Sequence, residues 1–204
     1  DQSGNGKDAS QSTKSKQPKV YDSADGLVQE NDRAALLFDG DDGFTCDNVI
    51  SGSTSRSIFS VHKSEATTGT YRTIYAANST TASGQRYVLV AFPSRIGAWN
   101  WGGTANVPYT PNRQYLTSHF NGTGNIQNGS FFTNGISLST TKKSNSMNTA
   151  STTAHIGEAE DGFKSWKGTQ QELLVFTTDE SADRETIESH INYYFGIYAQ
   201  FAEE

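Results

Sequence analysis

The sequence predicts an all-β fold, an antiparallel two-sheet sandwich or jelly roll that ends in one short α-helix. Three observations lead to this expectation. Runs rich in β-branched and aromatic residues, such as RYVLVAF at 86–92, recur between turns. Asn-Gly pairs, which favour tight turns between antiparallel strands, occur three times in the middle of the chain. One stretch near the C-terminus has helical periodicity instead, and a single helix beside many strands is expected to cover a β-core. A closed barrel is the alternative architecture.

The first half of the chain predicts a surface loop followed by strands. Residues 1–19 are polar and rich in Ser, Gln and Lys, which is typical of a loop lying on a domain. ALLFDG at 35–40 is an apolar run closed by a turn, and SIFSVHK at 57–63 alternates between two faces. YRTIYAA at 71–77 and RYVLVAF then outline a hairpin with a longer polar loop.

The second half continues the antiparallel pattern. The pairs Asn121-Gly122, Asn128-Gly129 and Asn134-Gly135 lie between β-rich runs and predict turns with positive φ. Residues 140–153, with Lys142 and Lys143, predict a Ser/Thr/Asn loop, after which HIG at 155–157 resumes the strand pattern. GTQQELLVFTT, from Gly168, predicts the last strand.

The predicted helix follows this strand. Ser181 is a plausible N-cap, and Ile187, Ile191 and Tyr194 recur at intervals of four and three residues to form one apolar stripe. Gly196 occupies the position expected of a C′ residue.

Length and composition exclude several classes of partner. The 204 residues suit one domain, and the net charge of −6 offers no electrostatic footprint for nucleic acid or an anionic membrane surface. No apolar run is long enough to span a bilayer, so we expect neither a nucleic-acid partner nor membrane insertion. Cys46 is the only cysteine, which excludes an intrachain disulfide and favours a structural thiol.

Several segments, in this order, resemble a known superfamily. They are DQSGNGKD, QPKVYD, ALLFDGDDGF, FFTNGISLST, HIG and the ending WKGTQQELLVFTTDESADRETIESHINYYFGI. The pattern is similar to the concanavalin A-like lectin/glucanase superfamily, in the laminin-G-like (LamG) branch of bacterial secreted proteins and phage structural proteins. The resemblance implies a jelly roll attached to a catalytic, adhesive or virion module, often binding glycans and sometimes calcium. It also implies an extracellular or virion-surface location.

The resemblance covers nearly the whole chain, so residues 1–204 are expected to form a single LamG-like domain. In that family the DQSGNGKD opening usually follows an aromatic residue and earlier strands. We therefore expect this sequence to be a fragment of a longer chain, lacking its first strand or strands.

No catalytic residues are predicted. A retaining glycosidase needs two carboxyl groups about 5 Å apart, and jelly-roll glucanases carry them as an ExDxxE strand, which this sequence lacks. The Arg-x-Glu-x-Arg strand of jelly-roll alginate lyases is missing as well. Glu172 is a lone strand carboxylate, better explained as a structural partner for Arg or Lys. The acidic runs at 158–161 and 179–185 suit a soluble loop and a helix start. We therefore expect a protein that is not an enzyme.

Metal binding is not predicted either, although calcium is an alternative. His62, His119, His155 and His190 have no metal-ligand spacing. DQSGNGKD begins like an EF-hand loop but has Ser12 where the bidentate Glu should be. The carboxylates Asp39, Asp41 and Asp42 are explained by turn chemistry, with a calcium site as the sharper hypothesis; Asp47, Asp1 and Asp8 could add to it. We expect no cofactor.

The run AWNWGG is the best binding candidate. Trp99 and Trp101 are two residues apart, so in an extended strand both indoles project to one face and Asn100 to the other. On an open face they would form a stacking platform for sugar rings, with Tyr109, His119 and Asn121 as polar neighbours. On a core face they would be large buried side chains, and the usual burial of Trp favours that interpretation.

The sequence thus predicts a non-catalytic glycan-binding or adhesion module on a virion or secreted protein, for example a phage tail fibre or capsid decoration. Its partner would be a glycan or cell-surface polysaccharide. One alternative is a purely structural domain that contacts other subunits of an assembly and has no ligand of its own. A second alternative is a glycan-cleaving enzyme, a glycosidase or lyase.

Overall fold

A computed structural model describes residues 1–65, 71–77, 82–150, 152–158 and 165–199. These residues form two large antiparallel sheets packed face to face, with one α-helix near the C-terminus. The all-β sandwich predicted from the sequence is therefore confirmed. In chain order the strands are β1 (Tyr21–Asp22), β2 (Gly26–Leu27), β3 (Gln29–Glu30), β4 (Arg33–Ala34), β5 (Leu36–Asp39), β6 (Phe44–Asp47), β7 (Arg56–Ser64), β8 (Arg72–Ala77), β9 (Tyr87–Ala91), β10 (Arg95–Trp99), β11 (Thr104–Pro108), β12 (Gln114–Asn121), β13 (Ser130–Thr133), β14 (Ile136–Leu138), β15 (Thr141–Lys143), β16 (Thr153–Ile156) and β17 (Lys167–Phe176).

The two large sheets differ in what covers their outer faces. Among the described residues, the first sheet has the strand order β15-β11-β10-β9-β8-β16-β6 and the second has β14-β13-β12-β7-β17-β5. We call them the seven-stranded and six-stranded sheets. Small ladders β1-β2 and β3-β4 and two 3₁₀ turns, Lys14–Lys16 and Ile126–Asn128, complete the fold. The main core lies between the sheets, and α1 (Arg184–Phe195) covers the outer face of the six-stranded sheet.

Strand β7 explains why both faces of the six-stranded sheet are apolar. Its alternation directs Ile58 into the core between the sheets, whereas Phe59 and Val61 point outward. The outward side chains are fully buried because α1 packs over them through Ile191 and Phe195. The predicted two-faced pattern of 57–63 is thus confirmed, and both faces are buried.

The helix begins two residues later than the predicted N-cap. Asp183, rather than Ser181, is the N-cap, whereas Gly196 ends α1 in the left-handed conformation with φ 62°, as predicted. The apolar stripe also differs at its last position: Tyr194 is 57% exposed and Phe195 takes the buried place. A four-residue step from Ile191 keeps Phe195 on the sheet-facing side, which a three-residue step to Tyr194 does not.

One of the three predicted Asn-Gly turns has the expected geometry. Asn134 and Gly135 join β13 to β14 with φ 52° and 78°. The prediction is wrong for Asn121-Gly122 and Asn128-Gly129, because no residue of either pair has positive φ. There the connection from β12 to β13 contains a 3₁₀ turn capped by the Asn125 side chain. Gly129 is needed for space instead, since a Cβ would lie 2.5 Å from His119 Nε2.

The stretch 140–153 is not loop throughout. Residues 141–143 form β15, which pairs with β11 at the edge of the seven-stranded sheet. Short edge strands of Thr and Lys carry little hydrophobic signal, because nearly all of their side chains face solvent.

The polar N-terminal segment lies on the domain as predicted. Ser10 bridges to Thr45 on β6, and Lys19 bridges to Leu37 on β5, so this segment follows strands from both sheets. Cys46 on β6 is a free thiol that packs against the main core. Within the described part of the chain, no helix has the length and apolar character needed to cross a bilayer.

Candidate functional site

A cluster of aromatic side chains lies on the outer face of the seven-stranded sheet. We define the aromatic patch as Tyr71, Phe92, Trp99 and Trp101, which pack over the fully buried side chains of Ala76, Val88 and Val90. All four aromatic residues are half-buried. The patch is separate from the core between the sheets, so the interpretation of the two tryptophans as core residues does not hold.

The two indoles are in direct contact. Trp99 is the last residue of β10, opposite Val88 on β9 and Thr104 on β11. Its ring centroid is 5.0 Å from that of Trp101, and the ring planes are inclined by 31°. At this separation and inclination the two rings pack against each other, so they form one aromatic contact on the outer face of the sheet.

Trp101 reaches this position by a turn and not by an extended strand. It lies in the hairpin between β10 and β11 with φ 55°, followed by Gly102 with φ 133°. Left-handed backbone is uncommon for a bulky residue and costs about 1 kcal/mol or more. The predicted pairing of the two indoles is therefore reached through a strained turn, which adds Trp101 to the end of β10 without continuing the strand.

Asn100 supports the turn from beneath. Its side chain is fully buried, accepts a hydrogen bond from the Gly103 backbone at 3.0 Å and donates to the carbonyls of Asn145 and Ser146. Asn145 in turn donates to the Trp101 carbonyl at 3.4 Å. Asn100 thus holds the indole-bearing turn against the neighbouring loop and does not face solvent.

Tyr71 and Phe92 extend the patch beyond the predicted residues. Tyr71 makes edge contacts with Phe92, at 5.5 Å between centroids, and with Trp99 at 6.1 Å. The guanidinium of Arg95 lies 4.5 Å from the Phe92 ring centre. The sequence contained one signal that could have found these two residues. In the predicted hairpin Tyr71 comes just before β8 and Phe92 comes just after β9, so both lie at the same end of the ladder.

The structure does not bring the three predicted polar neighbours to this patch. Tyr109, His119 and Asn121 are 5%, 0% and 0% exposed. Tyr109 hydrogen-bonds to Ser64 at 2.8 Å, and Asn121 donates to backbone carbonyls. His119 and Asn121 come from the core-facing side of β12, so the seven-stranded sheet lies between them and the patch. Residue spacing cannot show which sheet a strand joins.

Two buried histidines lie between the sheets. His119 Nδ1 contacts the Tyr87 hydroxyl at 2.5 Å, and His62 Nδ1 contacts Ser60 Oγ at 3.1 Å. Burial lowers the pKa of each imidazole to about 3, and the nearby Arg56 adds to the effect at His119. Both rings are therefore neutral at physiological pH and act as packed polar side chains.

The carboxylates Asp39, Asp41 and Asp42 meet at the turn after β5. In the described residues they are the one group of three His, Cys, Asp or Glu side chains whose ligand atoms lie within 4.8 Å of one another. Asp42 is buried and accepts the Asp39 N–H at 2.8 Å. Burial raises the pKa of Asp42, and a hydrogen bond with Asp39 raises that of Asp41. Crowded carboxylates of this kind are the residues that could hold a hard cation.

The DQSGNGKD loop uses its oxygen atoms internally. Asp1 accepts the backbone N–H groups of Ser3 and Lys7, each at 2.8 Å, and Ser3 Oγ accepts that of Asn5 at 3.3 Å. These are side-chain-to-backbone turns of the kind that Asp and Ser favour. A cavity of about 300 Å³ lies between this loop and β6, lined by Gly6, Asp8, Ser10, Thr45, Cys46, Asp47 and Thr153. It contains no aromatic surface on which a sugar could stack.

Glu172 lies at a bulge of β17 opposite Val61, on the helix-covered side of the sheet. Burial raises its pKa, and the predicted ion pair with Arg or Lys does not form among the described residues. Of the acidic run at 158–161, residues 159–161 lie outside the described residues.

Comparisons with known proteins identify the fold. No protein-family model and no curated protein matches the sequence. Solved structures do match. One is domain 4 of AbnA, a GH43 extracellular arabinanase from Geobacillus stearothermophilus, in complex with arabinotriose; it is 12% identical, with TM-score 0.58 over 80% of each chain.

Two further matches have the same architecture. The Ruminococcus gnavus IT-sialidase CBM40 bound to α2,3-sialyllactose is 10% identical, with TM-score 0.54 over 74% of this chain and 92% of that one. The Botulinum neurotoxin serotype G binding domain is 14% identical, with TM-score 0.53 over 80% of this chain and 43% of that one. This chain therefore spans less than half of the toxin binding domain. At these identities the likeness shows the fold alone, a two-sheet β-sandwich.

Proposed function

We propose that this protein is a non-catalytic glycan-binding module whose ligand stacks on the aromatic patch. The observation that carries the proposal is the pair of half-buried indoles on the outer face of the seven-stranded sheet, 5.0 Å apart, one of them held in left-handed backbone. Strained backbone at a bulky residue persists where the surrounding structure enforces it, and such residues cluster at binding sites. Two similar structures were solved with bound oligosaccharides, arabinotriose and sialyllactose, which supports a sugar as the ligand.

The proposal extends to the setting of the module. Residues 1–204 form a single LamG-like domain of a larger secreted or virion protein, located outside the cell or on the particle surface, where it adheres to a cell-surface polysaccharide. The resemblance of the sequence to LamG-like domains and the fold shared with extracellular proteins support this setting.

The proposal is tested by glycan-array binding of the purified protein beside Trp99→Ala and Trp101→Ala. Both substitutions remove stacking surface on the outer face, so we expect each to lower array binding at least about fivefold, since aromatic stacking contributes about 1 kcal/mol or more per contact. Tyr193→Ala is the matched control because Tyr193 is 84% exposed on α1, on the other sheet. Far-ultraviolet circular dichroism and thermal unfolding confirm that each variant is folded.

A structural role in an assembly is the second candidate. Val20, Tyr21, Leu27, Ile136, Tyr193 and Tyr194 are large apolar side chains that remain more than half exposed. Exposed apolar surface is typical of contacts between subunits. If a broad array gives no binding and the protein self-associates in sedimentation experiments, the assembly role replaces glycan binding.

A further inference from the structure

Acidic and basic residues are segregated along this chain. Although the net charge is −6, residues 66–157 contain no Asp or Glu. The same segment contains six basic residues, Arg72, Arg86, Arg95, Arg113, Lys142 and Lys143. It supplies β8, β9, β10, β11, β15 and β16, so the acidic residue of the seven-stranded sheet is Asp47, on the edge strand β6. The opposite half of the sheet, which carries the tryptophans, is therefore cationic.

The ladder places one cation in line with the indoles. Trp99 on β10 is opposite Thr104 on β11, which is opposite Lys143 on the edge strand β15. Residues directly opposite in a ladder project to the same face, so Lys143 leaves the backbone on the side of Trp99, about 10 Å away across two strand spacings. That separation accommodates one sugar ring on the indole with its substituent directed towards the ammonium.

A second cation lies on the strand of Trp99 itself. Arg95 is four residues before Trp99 on β10, which puts both side chains on one face about 13 Å apart along the strand. Arg95 is exposed and stacks on Phe92, a member of the aromatic patch. The patch is thus bordered by Lys143 across the sheet and by Arg95 along it.

The cations beside the patch have no acidic partner in the described part of the chain. Lys142, Lys143 and Arg95 are all exposed, and within the described residues none of them makes an ion pair. Elsewhere the structure does pair its basic side chains, as in Lys63–Glu30 at 2.9 Å and Arg184–Glu188 at 2.5 Å. The charges beside the patch are therefore available to a ligand.

We infer, on the basis of the proposed glycan-binding function, that the ligand is an acidic glycan. A sugar ring of the ligand stacks on Trp99 and Trp101, and its carboxylate or sulfate group is held by Lys143 or Arg95. Ammonium and guanidinium groups make charge-assisted hydrogen bonds to both kinds of anion, and Arg does so with two parallel donors. The acidic remainder of the molecule disfavours long polyanions such as nucleic acid.

The inference is tested with pairs of probes in which one member is acidic and the other is neutral. α2,3-Sialyllactose and lactose differ in a carboxylate-bearing sugar, and a sulfated galactan and its desulfated form differ in sulfate. Calorimetric titration of the wild-type protein at low and high salt should show the acidic member binding about tenfold or more tightly in at least one pair, with the preference reduced by salt.

The variants separate this site from bulk charge. Lys142→Gln/Lys143→Gln and Arg95→Gln should each reduce the preference for the acidic member, whereas Arg113→Gln should keep it. Arg113 is an exposed cation of the same acid-free segment, but it lies over Tyr115, outside the ladder of the seven-stranded sheet. Lys143→Arg should retain the preference, which distinguishes loss of charge from damage to β15.

Four outcomes would overturn the inference. Equal affinity for both members of each pair would reject an acidic ligand while leaving glycan binding intact, and no binding to any probe would reject both. Equally tight binding of a thymidine oligonucleotide would show a general polyanion surface.

Lysine on an edge strand also prevents sheets from associating. If that is its role, the double Gln variant would self-associate with an unchanged glycan preference.

Discussion

At the scale of single residues, Trp101 shows how the candidate site differs from a core cluster. The turn after β10 has positive φ at Trp101 and at Gly102, the geometry that Gly and Asn adopt at low cost. For a large aromatic residue the left-handed backbone conformation is energetically unfavourable. Its indole contacts Trp99, and the buried amide of Asn100 fixes the turn beneath it. The local strain is therefore offset by packing in the aromatic patch.

The strain at Trp101 leads to a prediction about its small substitutions. Trp101→Gly and Trp101→Ala both remove the indole, but Ala keeps a Cβ in left-handed backbone. We expect Trp101→Gly to be the more stable of the two by about 1 kcal/mol in urea unfolding. Trp99 provides the control, because it lies in β10 without positive φ, where Gly should be less stable than Ala by about 0.5–1 kcal/mol. The same sign at both positions would argue against strain at Trp101.

At the scale of elements, α1 is joined to the six-stranded sheet by apolar packing and by one buried polar group. Glu188 is 2% exposed and accepts hydrogen bonds from Ser118 of β12 at 2.6 Å and from Arg184 at 2.5 Å. Arg184 in turn stacks on Phe132 of β13, 4.1 Å from its ring centre. The helix therefore has one preferred position along the sheet, since moving it would break the buried hydrogen bond between Glu188 and Ser118, while Arg184 on the same helix would move with the carboxylate.

The buried carboxylate predicts a graded stability series. Glu188→Ala leaves the buried Ser118 hydroxyl without its acceptor and removes one of the two carboxylates that accept from Arg184, and should lower the free energy of unfolding by about 3 kcal/mol. Glu188→Gln keeps a neutral acceptor for Ser118 and should cost less. Glu185→Ala is the matched control, because the Glu185 side chain is 86% exposed beside the same arginine and should change stability by less than about 0.5 kcal/mol. Equal losses at the two positions, measured by urea unfolding, would contradict a buried network.

At the scale of the whole molecule, the space between the sheets contains more polar groups than an aliphatic core. His62, His119 and Arg56 are essentially fully buried there. Arg56 is held by the carbonyls of Gly52 and Thr54 and by the Thr149 hydroxyl. The imidazoles remain neutral because protonation would place further charge inside the sandwich. Global unfolding exposes these histidines to water, so they link stability to pH.

The direction of that linkage is set by the lowered pKa values. An unfolded chain protonates His near pH 6.5, whereas His62 and His119 stay neutral in the folded protein down to about pH 3. The stability that these two neutral histidines contribute to the folded state is fully present above about pH 6.5, and it is lost as the pH falls towards 3. Between pH 6.5 and 5 each histidine should reduce the free energy of unfolding by about 2 kcal/mol.

Urea unfolding across this pH range measures the effect. His62→Gln should flatten the dependence, because it removes one of the two buried imidazoles. The raised pKa of Asp42 acts in the opposite direction, because protonation of that carboxyl favours the folded state. A slope that is equally steep in His62→Gln and in the wild-type protein would show that this imidazole is not the cause.

Local patterns were sufficient for most of the elements and for the core of the candidate site. The alternation in 57–63, the hairpin of β8 and β9, the turn at Asn134-Gly135 and the C-terminal helix all follow from side-chain period and turn chemistry. The indole pair was also found from its spacing. Elements whose signal is weak were missed: β15 has three exposed residues, and the turn after β12 depends on a 3₁₀ conformation capped by Asn125.

By itself, then, the sequence determined the class of fold, most of its elements and the pair of tryptophans, because these depend on residues close together in the chain. Only the tertiary structure decided which face of which sheet each side chain occupies. It put the indoles on the outer face with Tyr71, Phe92 and the exposed cations Arg95 and Lys143, and it put Tyr109, His119 and Asn121 in the interior. The physical reason is that side chains of a strand alternate between two faces of its sheet. Only the packing of one sheet on another, between strands distant in the sequence, decides which of these faces is buried.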